Sequence, residues 1–529
     1  MDDNARKIHL PRKAALVVLF LILLISFRFR TVNLIHSPGW FIDEGTYLEI
    51  SSRIGKAQLQ FGSVNVTFVG PYMTHPPFYF ALSNIFLKLG RTDMYRFRLF
   101  NALLGVLATL LVFFLGHEAG RRGTESDSSL LKAEILGLIA SFFYAIHPDA
   151  VMYNRMGLPY NLYLVEVILV GWLVLRYLRT RQFSMCLGAC LIAALSLLTV
   201  YYSMVFIPFI MLAILWKKKY KHLWALVCIP VPLLIFLGFM ALGRTPAFWD
   251  DIRALRQNAG SGSLYVVLYH YHEFFQTGLT YFAGMAGLLF LRRKTAGGFL
   301  FFLFLLIIHI VLRRADTVIR FVHYPVIPLL PLVVLGCAAI ALRAGEGLLD
   351  FTPIGLLIIP ILLGAFLGVQ QVRHGIAGRF PTPLEFGMTK HVSDTYDTAI
   401  YINKYTESDE LVIATPTLWS LLDTRVADLT QSLAFEGIKA GFYQYDFPRE
   451  RFLFSPALEQ ASFVVLDSFT DKWCQNVPHS LHKPLAKTID GVKENWTLDF
   501  QKGEYRVYKS PRLVEEEDAS KPEDKEPTP

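Results

Sequence analysis

Apolar runs separated by short polar connections dominate the chain from Ala14 to Val369. They cover Ala14 to Phe27, Phe97 to Gly116, Ala133 to Ile146, Leu162 to Tyr177, Met185 to Tyr201 and Met204 to Trp216. Further runs cover Leu223 to Leu242, Leu279 to Leu291, Phe299 to Leu312, Val322 to Leu342 and Pro353 to Val369. Eleven such runs predict a polytopic helical membrane domain, although several are shorter than the roughly 20 residues a straight span needs. Lysine and arginine collect in alternate connections: Arg6, Lys7, Arg12 and Lys13; Arg121 and Arg122; Arg176, Arg179 and Arg181; Lys217, Lys218, Lys219 and Lys221; Arg292, Arg293 and Lys294; then Arg343. Such connections face the cytoplasm. The N-terminus is then cytoplasmic, and an odd number of spans places everything after Val369 outside. No small-residue cleavage site follows Phe27, so the first run reads as a retained span rather than a removed signal.

Under this topology the outer loops run from Arg28 to Arg96, His147 to Pro159, Gly243 to Thr277 and Arg313 to Phe321. Within the first, Pro76-Pro77 precedes an apolar stretch, Phe78 to Leu89, too short to span and expected to be a helix lying at the interface. From about Gly375 the pattern turns soluble. A helix is expected after Asp394 as cap, continuing to Lys404, and Leu411 to Ala414, Phe463 to Leu466 and Tyr505 to Tyr508 read as short buried strands. No glycine-rich phosphate loop follows Leu411-Val412-Ile413, which argues against a nucleotide site. The acidic, proline-containing tail from Glu515 to Pro529 predicts disorder. The fold class is mainly α: a membrane domain over residues 1–374 that includes the outer loop 28–96, an extracytoplasmic α/β domain over 375–511, and a tail over 512–529.

Composition agrees with this class. Hydrophobic residues make up 53% of the 529 and charged residues 18%, against about 25% charged in an average soluble protein. The net charge of +8 sits in the clusters that orient the spans, which removes the case for a nucleic-acid partner. Cys186, Cys190, Cys228 and Cys337 fall in apolar runs, and Cys474 alone in the outer domain cannot form a disulfide within it. The sequons Asn65-Val66-Thr67 and Asn495-Trp496-Thr497 fall outside in this topology and matter only in a host that glycosylates them.

The chemistry concentrates after the first run, in Trp40-Phe41-Ile42-Asp43-Glu44-Gly45-Thr46-Tyr47. His75-Pro76-Pro77-Phe78-Tyr79 follows, and Arg98-Leu99-Phe100-Asn101-Ala102-Leu103-Leu104-Gly105 opens the next run. Acidic residues at a bilayer surface point to chemistry or to a cationic ligand; the plainer alternative is a helix N-terminus whose carboxylates satisfy backbone donors. The ordered set resembles the polytopic GT-C glycosyltransferases, in the group that holds protein O-mannosyltransferases, lipid A aminoarabinose transferases and Rgt-type lipopolysaccharide sugar transferases. It covers the membrane domain in layout, and the outer domain resembles the variable C-terminal domains of such enzymes only in position and size.

That resemblance implies transfer of one sugar from a polyprenyl-phosphate donor to a lipid, glycan or protein acceptor on the outer face, with inversion at the anomeric carbon. Such a displacement needs a base at the acceptor hydroxyl and stabilisation of the departing phosphate. Asp43 is the candidate base, and Glu44 would orient it or bind sugar or acceptor. Arg313, Arg314, Arg320, His323 and Tyr324 cluster where the tenth run begins and are candidate donors to the phosphate. Arg313 and Arg314 suit headgroup anchoring equally well. Substrate contacts are also expected at His75, Tyr79, His147, Asp149 and Arg155. The lipid A transferases tend to have a lysine where this chain has His75, and Asn161 stands where a carboxylate is expected. Asp43, His75, His147 and Asp149 are candidate ligands for a divalent metal, but their spacing carries no ligand signal. Glu166 either faces a polar cavity or pairs with a neighbouring helix. The alternative class is a secondary transporter, which would usually show internal repeats and broken paired helices near the midplane; no repeat is seen here, and the polar residues lie at one face. An oligosaccharyltransferase would show a Trp-Trp-Asp signature, also missing, and a non-catalytic polyprenyl-lipid-binding protein would lack chemistry at Asp43.

Overall fold

The computed structural model describes residues 12–54, 60–65, 76–121, 127–241, 278–291, 295, 297–304, 328–346, 353–378, 388–440, 443, 446–471 and 479–520. In chain order the elements are α1 (Arg12–Thr31), α2 (Ile42–Arg53), β1 (Gln60–Phe61), β2 (Val64–Asn65), α3 (Phe78–Lys88), α4 (Met94–Gly120), α5 (Asp127–Ile146), α6 (Pro148–Asn154), α7 (Pro159–Thr180), α8 (Phe183–Leu197) and α9 (Phe206–Trp216). There follow α10 (Pro230–Ala241), α11 (Gly278–Gly287), α12 (Leu330–Glu346), α13 (Pro353–Ala377), α14 (Val392–Tyr405), β3 (Leu411–Ile413), α15 (Pro416–Trp419), β4 (Arg425–Ala427), α16 (Leu429–Phe435), β5 (Ala461–Leu466), α17 (His479–Asn495), β6 (Thr497–Lys502), β7 (Tyr505–Lys509) and α18 (Pro511–Ser520). Two compact units emerge, and no single cut in the chain divides them: one holds Met1–Pro38, Met73–Trp249 and Leu255–Pro383, the other Gly39–Tyr72, Asp250–Ala254 and Leu384–Pro529.

The regular elements described in the first unit are all helices, joined by turns. Helix α1 shows how its sequence meets lipid on one side and protein on the other. Leu16, Val17, Phe20, Leu21 and Leu24 are exposed, whereas Ala15, Leu19, Ile22, Ser26 and Arg30 are buried, and the two sets lie on opposite faces of a 3.6-residue helix. Small residues bring α4 and α5 close: a methyl group on Gly116 would lie 2.9 Å from the Gly137 Cα. Such contact stabilises helix pairs where lipid removes the hydrophobic drive. Among the described residues, four helical stretches are long and apolar enough to cross a bilayer: Lys13–Thr31, Met94–Gly120, Pro159–Thr180 and Tyr220–Gly238. Leu130–Ile146 and Pro148–Asn154 form a fifth if their 63° bend is one broken span. The chain is a multi-pass membrane protein. Where they are described, the expected apolar runs fall on helices, broken at Leu198–Val200 and at Ile229, and the predicted helix after Pro76-Pro77 is α3.

The second unit is an α/β domain built on a five-stranded sheet of order β4-β3-β5-β7-β6. Strands β4, β3 and β5 are parallel, and β7 and β6 add to the β5 edge antiparallel. All six residues of β5 are buried, as expected of a central strand covered on both faces. The hydrophobic core gathers Val412, Leu418, Trp419, Phe463, Val465, Tyr505 and Val507, and it also takes in Val64 from β2. Residues after the first run are therefore part of this domain's interior. Two expectations are corrected. The cap position of α14 is His391, and Asp394 lies buried in the first turn, where its carbonyl accepts from Thr398 Oγ1 at 2.7 Å. The acidic tail is helical as far as Ser520: Ser510 Oγ accepts the Leu513 N–H at 3.3 Å and Pro511 opens the helix, a strong start signal that outweighs the acidic composition.

Candidate active site

Asp43 and Glu44 open helix α2, and the structure separates their roles. The Glu44 side chain folds back so that its Oε2 accepts the Phe41 N–H at 3.0 Å, and the Glu44 N–H donates to the Phe41 carbonyl at 2.9 Å. Glu44 thus supplies the carboxylate half of a capping box in which Phe41, with no acceptor of its own, fills the cap position. It is fully buried, whereas Asp43, one position earlier, stays partly exposed.

The stretch that carries α2 is sewn into the α/β domain by its backbone. Trp40 N–H donates to Thr389 Oγ1 at 2.8 Å, Thr389 N–H donates to the Trp40 carbonyl at 2.9 Å, and Phe41 bridges Met388. The Trp40 ring meets Tyr396 edge-on, with centroids 5.3 Å apart. Further along, Leu453 N–H donates to the Ser63 carbonyl at 2.8 Å, and Ser63 Oγ donates to Gln431 Oε1 at 3.1 Å.

The other described candidates belong to the helical unit. Tyr79, expected to touch substrate, is fully buried and exchanges hydrogen bonds with the Asn101 side chain at 3.0 and 3.2 Å. From there a chain of buried amides crosses the helices: Asn161 Nδ2 donates to Asn101 Oδ1 at 3.1 Å, and Asn154 Nδ2 to Asn161 Oδ1 at 2.8 Å. It ends on Arg30, whose Nε donates to Asn154 Oδ1 at 3.0 Å. Asn161, where a carboxylate was expected, is a link in this amide relay. Among the described residues, Arg155 donates five hydrogen bonds of 2.6 to 3.0 Å to carbonyls of Phe29, Val32, Asn33 and Ser37. Arg98 adds bonds to the Leu34 and Pro38 carbonyls at 3.0 and 2.7 Å. The two arginines clamp the link that leaves α1. His147 stands buried at the cap of α6, and Asp149, partly exposed, lies in that helix's first turn. Glu166 accepts from Thr199 Oγ1 at 2.8 Å just past the end of α8, so it pairs with a neighbouring segment.

His75, Arg313, Arg314, Arg320, His323 and Tyr324 lie outside the described residues. Among the described residues no three His, Cys, Asp or Glu side chains gather as a metal ion requires. Sequence reasoning missed Arg30, Asn101 and Asn154 as a polar core. Only Asn101 stands in an otherwise apolar run, where a polar residue must find a partner; Arg30 and Asn154 lie in connections and carried no such signal.

Comparison with known proteins follows the same lines. Residues 74–242 match the family model of dolichyl-phosphate-mannose-protein mannosyltransferases. No curated protein matches the chain by sequence. In structure, the chain is similar to ArnT from Cupriavidus metallidurans crystallised with undecaprenyl phosphate. The two are 13% identical, with a TM-score of 0.58, over 94% of this chain and 97% of that one. It is also similar to the Archaeoglobus fulgidus oligosaccharyltransferase in its apo form, at 15% identity and a TM-score of 0.52, over 89% of this chain and 72% of that one. At such identities the likeness is one of fold.

Proposed function

Since the chain has the fold of the GT-C, polyprenyl-phosphate-dependent glycosyltransferases, we propose that it transfers a single sugar from a polyprenyl-phosphate donor to a hydroxyl acceptor on the extracytoplasmic side of the membrane. The reaction inverts the anomeric carbon. The observation that carries this reading is the division of labour in the first turn of α2, where Glu44 is used as a cap and Asp43 is left partly exposed beside it. Asp43 takes the proton of the acceptor hydroxyl as that oxygen attacks the anomeric carbon, and the bond to the phosphate oxygen breaks with its electron pair. Because the leaving group is already a phosphate ester, no strong general acid is needed. Arg320, His323 and Tyr324 remain the proposed donors to the departing charge. The undecaprenyl phosphate bound to the Cupriavidus protein supports a donor carrier of that class here. A glycan, lipid or protein acceptor fits equally.

Labelled-sugar transfer from a panel of polyprenyl-phosphate donors, in reconstituted membranes, tests the reading. Asp43→Asn, folded to the same extent as the parent, is expected to lose transfer by at least about a hundredfold, the size of a general-base contribution. A parent that turns over together with an equally active Asp43→Asn overturns the assignment.

A further inference from the structure

The parallel strands of the α/β domain lie in the order β4, β3, β5. The chain leaves β3 for a neighbour on one side and returns for β5 on the other. The carboxyl edge between β3 and β5 is therefore a topological switch point, where open α/β sheets leave a crevice for ligands. Here the crevice is taken by the chain itself. Helix α15 starts immediately after β3, and α2 rests on it so closely that a methyl group on Gly45 would lie 2.1 Å from the Pro416 carbonyl oxygen and 3.0 Å from the Thr417 nitrogen. The space left among Ile42, Thr417, Asp467 and Glu504 is ≈ 10 Å³, room for about one water.

Asp467, the first residue after β5, closes the same edge from beneath. It is 5% exposed, its Oδ2 accepts from Thr415 Oγ1 at 2.8 Å, and its Oδ1 accepts from the Thr470 N–H and Oγ1 at 2.8 and 2.7 Å. Thr415 Oγ1 lies 3.1 Å from Thr417 Oγ1. One buried carboxylate thus ties the turn after β3 to the turn after β5, under the point where Gly45 makes contact. Two positions on a helix are separated by about 200°, so a helix seated through Gly45 turns Asp43 to its other side.

We propose that the switch point of the α/β domain is the seat of the Asp43 helix, with Gly45, Thr415 and Asp467 as positioning residues that set the direction in which α2 presents Asp43. The proposal rests on the reading of Asp43 as the base. It is tested on the full chain in lipid nanodiscs, with the undecaprenyl-phosphate sugar that the parent turns over, by steady-state kinetics and by hydrogen exchange over residues 42–53. Gly45→Ala and Thr415→Val are each expected to lower kcat 10- to 100-fold, leave KM for the donor within about twofold, and speed exchange over 42–53 at least tenfold. Thr415→Ser, which keeps the hydroxyl, restores both. If both variants leave exchange and kcat at parental values, or exchange rises while kcat stays, the positioning role is overturned. Should Gly45→Ala fail to fold, the Thr415 pair decides. Asp43→Asn in the same series separates the two ideas: faster exchange and lower kcat in Thr415→Val beside an active Asp43→Asn removes the base assignment and leaves the seat.

Discussion

Glu44 and Asp43 are adjacent acids with different fates, and a single oxygen makes the difference. Glu44 Oε2 accepts the Phe41 N–H, a bond that glutamine can also make through its amide oxygen. Glu44→Gln is therefore expected to keep activity within a few fold, while Glu44→Ala loses the cap, at about 1 kcal/mol of stability. Thermal unfolding read beside transfer kinetics checks the pair, and an inactive but stable Glu44→Gln would give Glu44 a chemical role. Arg155 invites the opposite experiment. Lysine carries the charge but not the planar fork that reaches four residues' carbonyls at once. Arg155→Lys is expected to cost about 2 kcal/mol or more, because buried carbonyls lose donors, with activity per folded molecule unchanged. A variant of parental stability that fails to bind donor would return Arg155 to the substrate. Sequence pointed to Arg98, Asn101 and Arg155 as residues of interest, but it could not show their partners. Arg155 bonds to Phe29 across 126 positions of chain, and no local pattern records such a pairing.

At the level of elements, legibility followed burial. Long apolar helices and the buried strands β3, β5 and β7 declare themselves through continuous hydrophobic runs. Strand β6 does not, because five of its six residues are exposed and the sixth only partly covered, and β4 has only Arg425, Val426 and Ala427. An edge strand held by backbone pairing leaves little trace in side-chain pattern. The link between β3 and β5 has its own signature in pH. Burial pushes the Asp467 carboxyl above its ordinary range, against the pull of its hydrogen bonds from Thr470 and Thr415. A folded-state value raised above the unfolded one, about 3.9, means that the group's contribution is complete below the unfolded value and fades as pH rises through the folded one. The stability of the parent relative to Asp467→Asn is thus expected to fall as pH increases through that window. Melting curves of both chains over a pH series that starts below the unfolded value would show a flat difference if Asp467 did not titrate.

For the molecule as a whole, the division of the chain was the least legible feature. The first outer loop reads in sequence as an appendage of the membrane helices, yet Gly39–Tyr72 clusters with Leu384–Pro529, and Val64 sits in the core of the α/β domain. Segments that share one core open together in native-state hydrogen exchange. Residues 42–53 and strand β3 are therefore expected to exchange with the same free energy and denaturant dependence. Opening of α2 at a markedly lower cost than β3 would show that it is merely laid on the domain.

The same arrangement imposes an order on biosynthesis. The ribosome delivers Val64 more than 300 residues before Leu384, which at 5 to 20 residues per second is a delay of roughly 15 to 60 seconds. Through that interval α2 and the β1–β2 hairpin have been made, but the domain whose interior they complete has not. The early segment has no completed core to join until the last quarter of the chain arrives to enclose it.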